Sequence, residues 1–224
     1  MIRYDIIGAA EAFTAGREEA LPCPVVQPHQ VHGCKVAAVD RPGLTREILE
    51  GYDALVTNLR GVAIGVRTAD CIPILLCDPV RGAVAAIHAG WRGTLGRIVC
   101  AAIGRMRLEY GTAPEDLRAI VGPGICRECF QVGEEVAGAF KEAGFPMDKI
   151  YSWNGPRAEG DMKGGHHIDL PQANRLLLEL EGVRPENIQM SGICTFETAG
   201  LYSARREGPK CGRNINAIML SEVL

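Results

Sequence analysis

Two apolar runs joined by a turn restrict the fold of this chain more than any other feature. Ile72-Pro73-Ile74-Leu75-Leu76 passes through Asp78-Pro79-Val80-Arg81-Gly82 into Ala83-Val84-Ala85-Ala86-Ile87. Neither run alternates apolar with polar residues, so each strand needs cover on both faces and belongs inside a layered sheet. The Pro and Gly of the connection favour a turn, and a turn implies antiparallel pairing. That pairing sets the start of the first strand beside the end of the second. Cys71 and His88 stand at those two ends and become neighbours in space, placed to share a metal or to act as nucleophile and base.

The same patterning extends along the chain. Further strands are expected at Ala54–Thr57, Val62–Arg67, Leu117–Val121, Ile188–Cys194 and Ile215–Leu220. Helical spacing of Leu95, Ile98, Val99, Ala102, Ile103 and Met106 predicts a helix over Thr94–Tyr110, with Thr94 as N-cap and Gly111 just past its end. Helices are also expected over Val132–Ala143 and Asp169–Leu180, the latter capped by Asp169 with Pro171 in its first turn. A mixed sheet covered by helices, in an α/β or α+β arrangement, follows from this order. With 224 residues the chain can bury about 70% of its unfolded surface. No repeat or domain-separating linker is visible, so residues 1–224 read as a single domain.

A net charge of −3 gives no reason to expect nucleic acid or an anionic membrane as partner, although it leaves room for a local basic pocket. No apolar run approaches the ~18 residues of a membrane span, and the first residues lack a leader pattern, so a cytoplasmic location is expected. Nine scattered cysteines, an odd number, argue against a disulfide framework. Cys77 and Cys100 read as buried small hydrophobes.

His29-Gln30-Val31-His32-Gly33 adds imidazoles upstream. Two nitrogens and one thiolate would hold zinc and leave a fourth position for water or substrate. An isolated Cys or His is more commonly packed or solvated than metal-bound, so the residues alone leave a metal site, a Cys-His nucleophile and plain packing all open. Gly90-Trp91-Arg92-Gly93-Thr94 leads into the expected long helix, where free N–H groups and Arg92 would favour a phosphate, or where the glycines merely make a tight turn. Arg205 and Arg206 lie in a polar loop that is either solvated or directed at an anion. Cys126-Arg127-Glu128-Cys129 has the spacing of a redox pair or half a zinc site, but no second Cys-x-x-Cys exists and Cys194 and Cys211 are far apart, so these thiols read as buried or pocket-lining. His166-His167 reads as surface.

Taken as an ordered set, Gln30-Val31-His32-Gly33, Asp53-Ala54-Leu55-Val56-Thr57, Thr68-Ala69-Asp70-Cys71-Ile72-Pro73, His88-Ala89-Gly90-Trp91-Arg92-Gly93-Thr94, Val121-Gly122-Pro123-Gly124-Ile125 and Ala204-Arg205-Arg206 resemble the laccase-domain, or multicopper polyphenol oxidoreductase, family. The resemblance implies a three-layer α/β/α sandwich with a mixed sheet. It implies a zinc site at His32, Cys71 and His88, which would also be the catalytic residues. It implies phosphorolysis of purine nucleosides, namely adenosine, inosine, guanosine and methylthioadenosine, with associated adenosine deaminase activity. Phosphate would lie at Arg92, Gly93, Thr94 and Arg205. The segment before Gln30 is short for the family, and Ser203-Ala204 and Cys211-Gly212 depart from its more common Ser-Tyr and Thr-Gly. Five histidines cannot furnish a multicopper cluster, although a lone copper also suits a His₂Cys set. Two other classes compete: a Cys71-His88 amidase editing peptidoglycan precursors, and a non-catalytic, metal-dependent binding module.

Overall fold

The structure, a computed structural model, describes residues 1–5, 10–154 and 165–221. Its centre is a six-stranded mixed sheet. In that sheet β4 (Val36–Ala38), β5 (Ala54–Thr57), β7 (Ile72–Asp78), β8 (Ala83–Ala89), β9 (Arg118–Val121) and β13 (Ile188–Met190) lie in the order β13-β9-β7-β8-β5-β4. The hairpin expected from the two apolar runs is its middle pair, in the register Pro73 opposite His88 and Leu75 opposite Ala86. A second sheet has the order β1-β2-β14-β6-β3, from β1 (Ile2–Tyr4), β2 (Ala10–Ala15), β3 (Val25–Val26), β6 (Ala63–Thr68) and β14 (Asn214–Leu220). A small third sheet joins β10 (Gln131–Val132), β11 (Tyr151–Asn154) and β12 (Gly165–Ile168).

The period-two geometry of a strand divides the central hairpin between two cores. Ile72, Ile74, Leu76, Ala85 and Ile87 face a helical layer. That layer contains α2 (Ile98–Tyr110), α3 (Glu134–Glu142) and α5 (Leu170–Leu180), which contribute Ile103, Phe140 and Leu177 among others. Leu75, Cys77, Val84 and Ala86 face the other way, against Ile64, Val66 and Ile218 of the five-stranded sheet. The α/β class and the mixed, helix-covered sheet are those the sequence leads to, and the layer opposite the helices is built by the second sheet. No helix among the described residues is long and apolar enough to cross a membrane.

Three expectations need correction. The helix foreseen over Thr94–Tyr110 is two helices, α1 (Trp91–Leu95) and α2, broken where Arg97 takes a left-handed φ of 59°. Thr94 is therefore inside α1 and caps nothing. A side chain on Gly96 would run into the Cys34 sulfur, so the break lets the chain pass close to its neighbour there. The strand foreseen over Ile188–Cys194 stops at Met190, because Gly192 turns left-handed at φ 66°, and Cys194 falls in the following loop. The foreseen Val132–Ala143 helix starts at Glu134, after Val132 has paired with His166 in the small sheet. Asp169 does cap α5, accepting the Gln172 N–H at 2.8 Å, with Pro171 in the first turn. Among the described residues the other α-helices are α4 (Met147–Ile150) and α6 (Ala204–Glu207).

Candidate functional site

Strand parity aims the site. Residues 84, 86 and 88 of β8 share one face, so His88 points toward the five-stranded sheet at the end of its strand. Cys71 lies on the same face, one residue before β7, opposite Gly90. Glycine leaves room there, since a Cβ on Gly90 would stand 3.0 Å from the Cys71 Sγ and 3.2 Å from the His32 ring and press on both. His32 arrives from a loop in which it holds a left-handed φ of 62°. One donor atom from each of His32, Cys71 and His88 lies within 4.8 Å of the others, and the two imidazole rings meet edge-on with centroids 4.9 Å apart.

Asp53, a residue whose role the sequence did not reveal, organises both histidines. It is fully buried just before β5, and its carboxylate accepts N–H groups from Val31, His32 and Gly33 at 3.2, 2.8 and 2.7 Å. The same carboxylate receives Nδ1 of His88 at 2.9 Å. With Nδ1 so engaged, Nε2 of His88 is the nitrogen left for a ligand, as in carboxylate-histidine-metal arrangements. A carboxylate shared by one backbone loop and one imidazole fixes the His32 loop relative to β8.

The electrostatics follow from this geometry. Burial pushes the Asp53 carboxyl up, but hydrogen bonds from His88 and the loop N–H groups outweigh it and hold it below the usual range. Burial opposes charge on Cys71 too, yet the His88 imidazolium and hydrogen bonds from both histidines bring its thiol down to about 6. His88 is disfavoured as a cation by burial, and the Cys71 thiolate and Asp53 carboxylate reverse this and raise it to about 9. A softened thiolate between two imidazoles, with one coordination position unfilled by protein, is a donor set that fits zinc and also a single copper.

Asp70 adds a second scaffold. It has φ 86°, an unfavourable conformation for a non-glycine residue, held by three contacts. Its Oδ1 accepts the Thr195 hydroxyl at 2.7 Å, its Oδ2 accepts the Arg205 N–H at 2.7 Å, and its carbonyl accepts the Ile125 N–H at 2.9 Å. This strained corner places Cys71 at the cavity and attaches α6 to it.

The cavity beside the triad has a volume of about 500 Å³ and includes Arg46, Arg67, Arg205 and Arg213 in its lining. Burial, and after it the cations of Arg46 and Arg213, depress the Arg67 guanidinium, so like charges meet at this part of the cavity. Arg205 is steadied by the carbonyls of Cys129 and Gln131 at 3.2 and 2.9 Å, with Phe130 beside it. Gln30 braces Arg67 from the backbone, accepting its N–H and donating to its carbonyl.

The sequence expectations separate cleanly here. His32, Cys71 and His88 come together, and Arg205 joins their cavity. Arg92, Gly93 and Thr94 do not line it: Arg92 is exposed and stacks on Trp91 at 4.1 Å, while Thr94 is buried and bound to Asn174. Gly93 packs tightly under the backbone of Gly33 and His88, so it supports the site from behind. Arg46, Arg67 and Arg213 were missed, and only the cluster of cations near Cys211 offered a signal for the last of them. Arg206 points elsewhere, into carbonyls of Thr195 and Phe196 at 2.8 and 2.7 Å. Of the pair foreseen at the surface, His167 is not there: both lie in β12, where the half-buried His166 contacts Tyr151 and the buried His167 donates Nδ1–H to the Arg127 carbonyl.

The chain is 44% identical over 201 residues to the Adenosine deaminase RL5 of an unknown prokaryotic organism, covering 87% of this chain and 74% of that protein. It is 43% identical over 176 residues to a Purine nucleoside phosphorylase of Bacteroides thetaiotaomicron, covering 78% of this chain but only 63% of the relative. Among solved structures, the hypothetical protein YfiH of Bacillus licheniformis superposes with a TM-score of 0.76 at 28% identity, over 88% of this chain and 74% of that one. The model of the multi-copper polyphenol oxidoreductase laccase family matches residues 11–221, and the chain belongs to that family.

Proposed function

We propose that the protein is a purine nucleoside phosphorylase with associated adenosine deaminase activity, working at a zinc site formed by His32, Cys71 and His88. The observation that carries the reading is the joining, in one cavity of about 500 Å³, of an open three-donor set to a group of arginines. The names of the two relatives above support it. In phosphorolysis the bond from the ribose C1′ to the purine nitrogen breaks and a bond from C1′ to a phosphate oxygen forms. The proton of hydrogen phosphate ends on the departing base, and the products are free base and ribose 1-phosphate.

Arg67, with Arg46 and Arg213 around it, is placed to bind phosphate through charge-assisted hydrogen bonds and to hold it in line with C1′. Arg205 and Phe130, which lie together in the lining of the same cavity, offer a cation and an aromatic face that suit the sugar and the base. Asp53 keeps His88 in one orientation, and Asp70 keeps Cys71 and α6 in register. Zinc, when bound, supplies Lewis-acid activation, which the replacement of the purine 6-amino group by water requires. Adenosine, inosine, guanosine and methylthioadenosine are the proposed substrates, and the enzyme acts on them as free small molecules.

A second reading draws on one observation. The Cys71 thiol near 6 and the His88 imidazole near 9 form an ion pair of the kind used by thiol hydrolases, so a metal-free amidase acting on peptidoglycan precursors is the alternative. Incubation of the purified protein with adenosine, with and without phosphate, decides. Adenine and ribose 1-phosphate should form only with phosphate, and inosine should form in both. Absence of base release and of inosine in both conditions contradicts the proposal, and amide cleavage that survives chelation supports the alternative.

A further inference from the structure

The strands β9 and β13 are parallel neighbours, so the loops that follow them leave the sheet at the same end. The first loop carries Cys126 and Cys129, and the second carries Cys194. Residues far apart in sequence thus meet, with Gly124 bridged to Cys194 and the Cys126 N–H directed at the Cys194 Sγ at 3.3 Å. The three sulfurs lie within 4.8 Å of one another. From the same loop Glu197 places a carboxylate oxygen 3.8 Å from the Cys129 Sγ. A cavity of about 210 Å³ opens beside Cys126 and Cys194.

We propose that Cys126, Cys129 and Cys194 form a second metal site, separate from the His32, Cys71 and His88 triad, that takes a thiophilic divalent cation, zinc, with Glu197 as fourth donor. A Cys-x-x-Cys pair met by a third thiol is the ligand pattern of structural zinc sites, and a carboxylate completes four-coordination by protein. Three sulfurs in one set also suit a cation better than a disulfide, which would leave one thiol unmatched. Binding converts three thiols to thiolates and releases three protons. The Cys126 N–H already faces the Cys194 sulfur and ties the two loops together there.

The consequence lies in the cavity wall. The Cys129 carbonyl holds the Arg205 guanidinium, and Thr195, next to Cys194, holds Asp70 beside Cys71. A cation joining the two loops fixes both attachments, so this site braces the other without taking part in its chemistry.

Cobalt titration of the chelator-treated, fully reduced full-length protein tests the assignment, because sulfur-to-cobalt charge transfer grows with the number of bound thiolates. The wild type should take two equivalents. Cys71→Ser should keep one, with the stronger, three-thiolate band, and zinc should raise its Tm. Cys129→Ser should lose that band and keep the weaker one. A Cys71→Ser protein that binds no cobalt, or whose residues 126–129 are found disulfide-bonded after anaerobic preparation, overturns the proposal even if Cys129→Ser fails to fold. The first metal site is read independently, from the equivalent that Cys71→Ser removes.

Discussion

The protein contains two sulfur clusters that differ in how their charge is arranged. At His32, Cys71 and His88 the charge is prepared in advance: Asp53 charges His88, His88 charges Cys71, and the thiol comes down to about 6 despite burial. At Cys126, Cys129 and Cys194 the sulfurs face one another and the Glu197 carboxylate. Burial, with Cys194 close by, raises both Cys126 and Cys129. Burial pushes all of these thiols up, most strongly the deeply enclosed Cys71, yet Cys71 alone comes down, and the deciding factor is a buried carboxylate-imidazole pair beside it and thiols beside the others. A site whose charge is built from the protein can hold a metal with one position open for substrate. A site that relies on the incoming cation for its charge is suited to a closed, structural role.

The largest test of this contrast is the exchange of one sulfur in each cluster. Cys71→Ser should lower phosphate-dependent turnover below about one-thousandth of wild type, as expected when one member of a unit that acts together is removed. Cys129→Ser should leave turnover within an order of magnitude and lower the Tm instead, read by thermal melting. Next in size is Asp53→Asn, which keeps the shape but removes the charge that orients His88. Loss of such a supporting partner costs about 10–100-fold in metal affinity or activity, measured by competition with a chelator and by initial rates.

Arg67→Ala should raise the KM for phosphate about tenfold or more, the size of one charge-assisted hydrogen bond, with a smaller change in the KM for nucleoside. The metal-free protein gives a pH test of the same contrast. Alkylation of Cys71 should accelerate as pH rises through about 6 and then stay level to about 9, while Cys126 and Cys129 react only in more alkaline solution. The linkage signs differ within the pair. The depressed Cys71 makes stability rise with pH above about 6, and the raised His88 makes it fall from its ordinary 6.5 up to about 9, so the two slopes cancel between roughly 6.5 and 9. The smallest effect is expected for Arg92→Ala. This exposed residue stacks on Trp91 away from the cavity, and its loss should change rates and stability little, within about 0.5 kcal/mol.

Arg92 also marks the limit of what the chain reveals unfolded. The hairpin, its antiparallel sense and the meeting of Cys71 with His88 were legible because two uninterrupted apolar runs joined by a Pro-Gly turn favour that pairing. The strand Ala54–Thr57 and the cap at Asp169 were legible for similarly local reasons. Arg92, Gly93 and Thr94 were expected at the cavity because a glycine-flanked turn before a helical pattern resembles an anion site whichever way it faces, and they do not line it. In the folded chain Thr94 lies within α1 and turns inward to Asn174, a tertiary contact. Asp53 was hidden since its partners, Val31 to Gly33 and His88, are distant in sequence and its burial is a tertiary fact. The cluster at Cys126, Cys129 and Cys194 was hidden for the same reason, because it depends on β9 and β13 being parallel neighbours.

The account rests on the His32, Cys71 and His88 cavity being where nucleoside and phosphate react. Its most direct measurement is the initial rate of base release from adenosine in phosphate buffer by Cys71→Ser, set against wild type and Cys129→Ser at equal concentration. Phosphate-dependent release by the wild type and by Cys129→Ser, with release by Cys71→Ser near background, is the predicted result. Release by a folded Cys71→Ser at the wild-type rate would contradict the account, and the reaction would then belong elsewhere on the molecule.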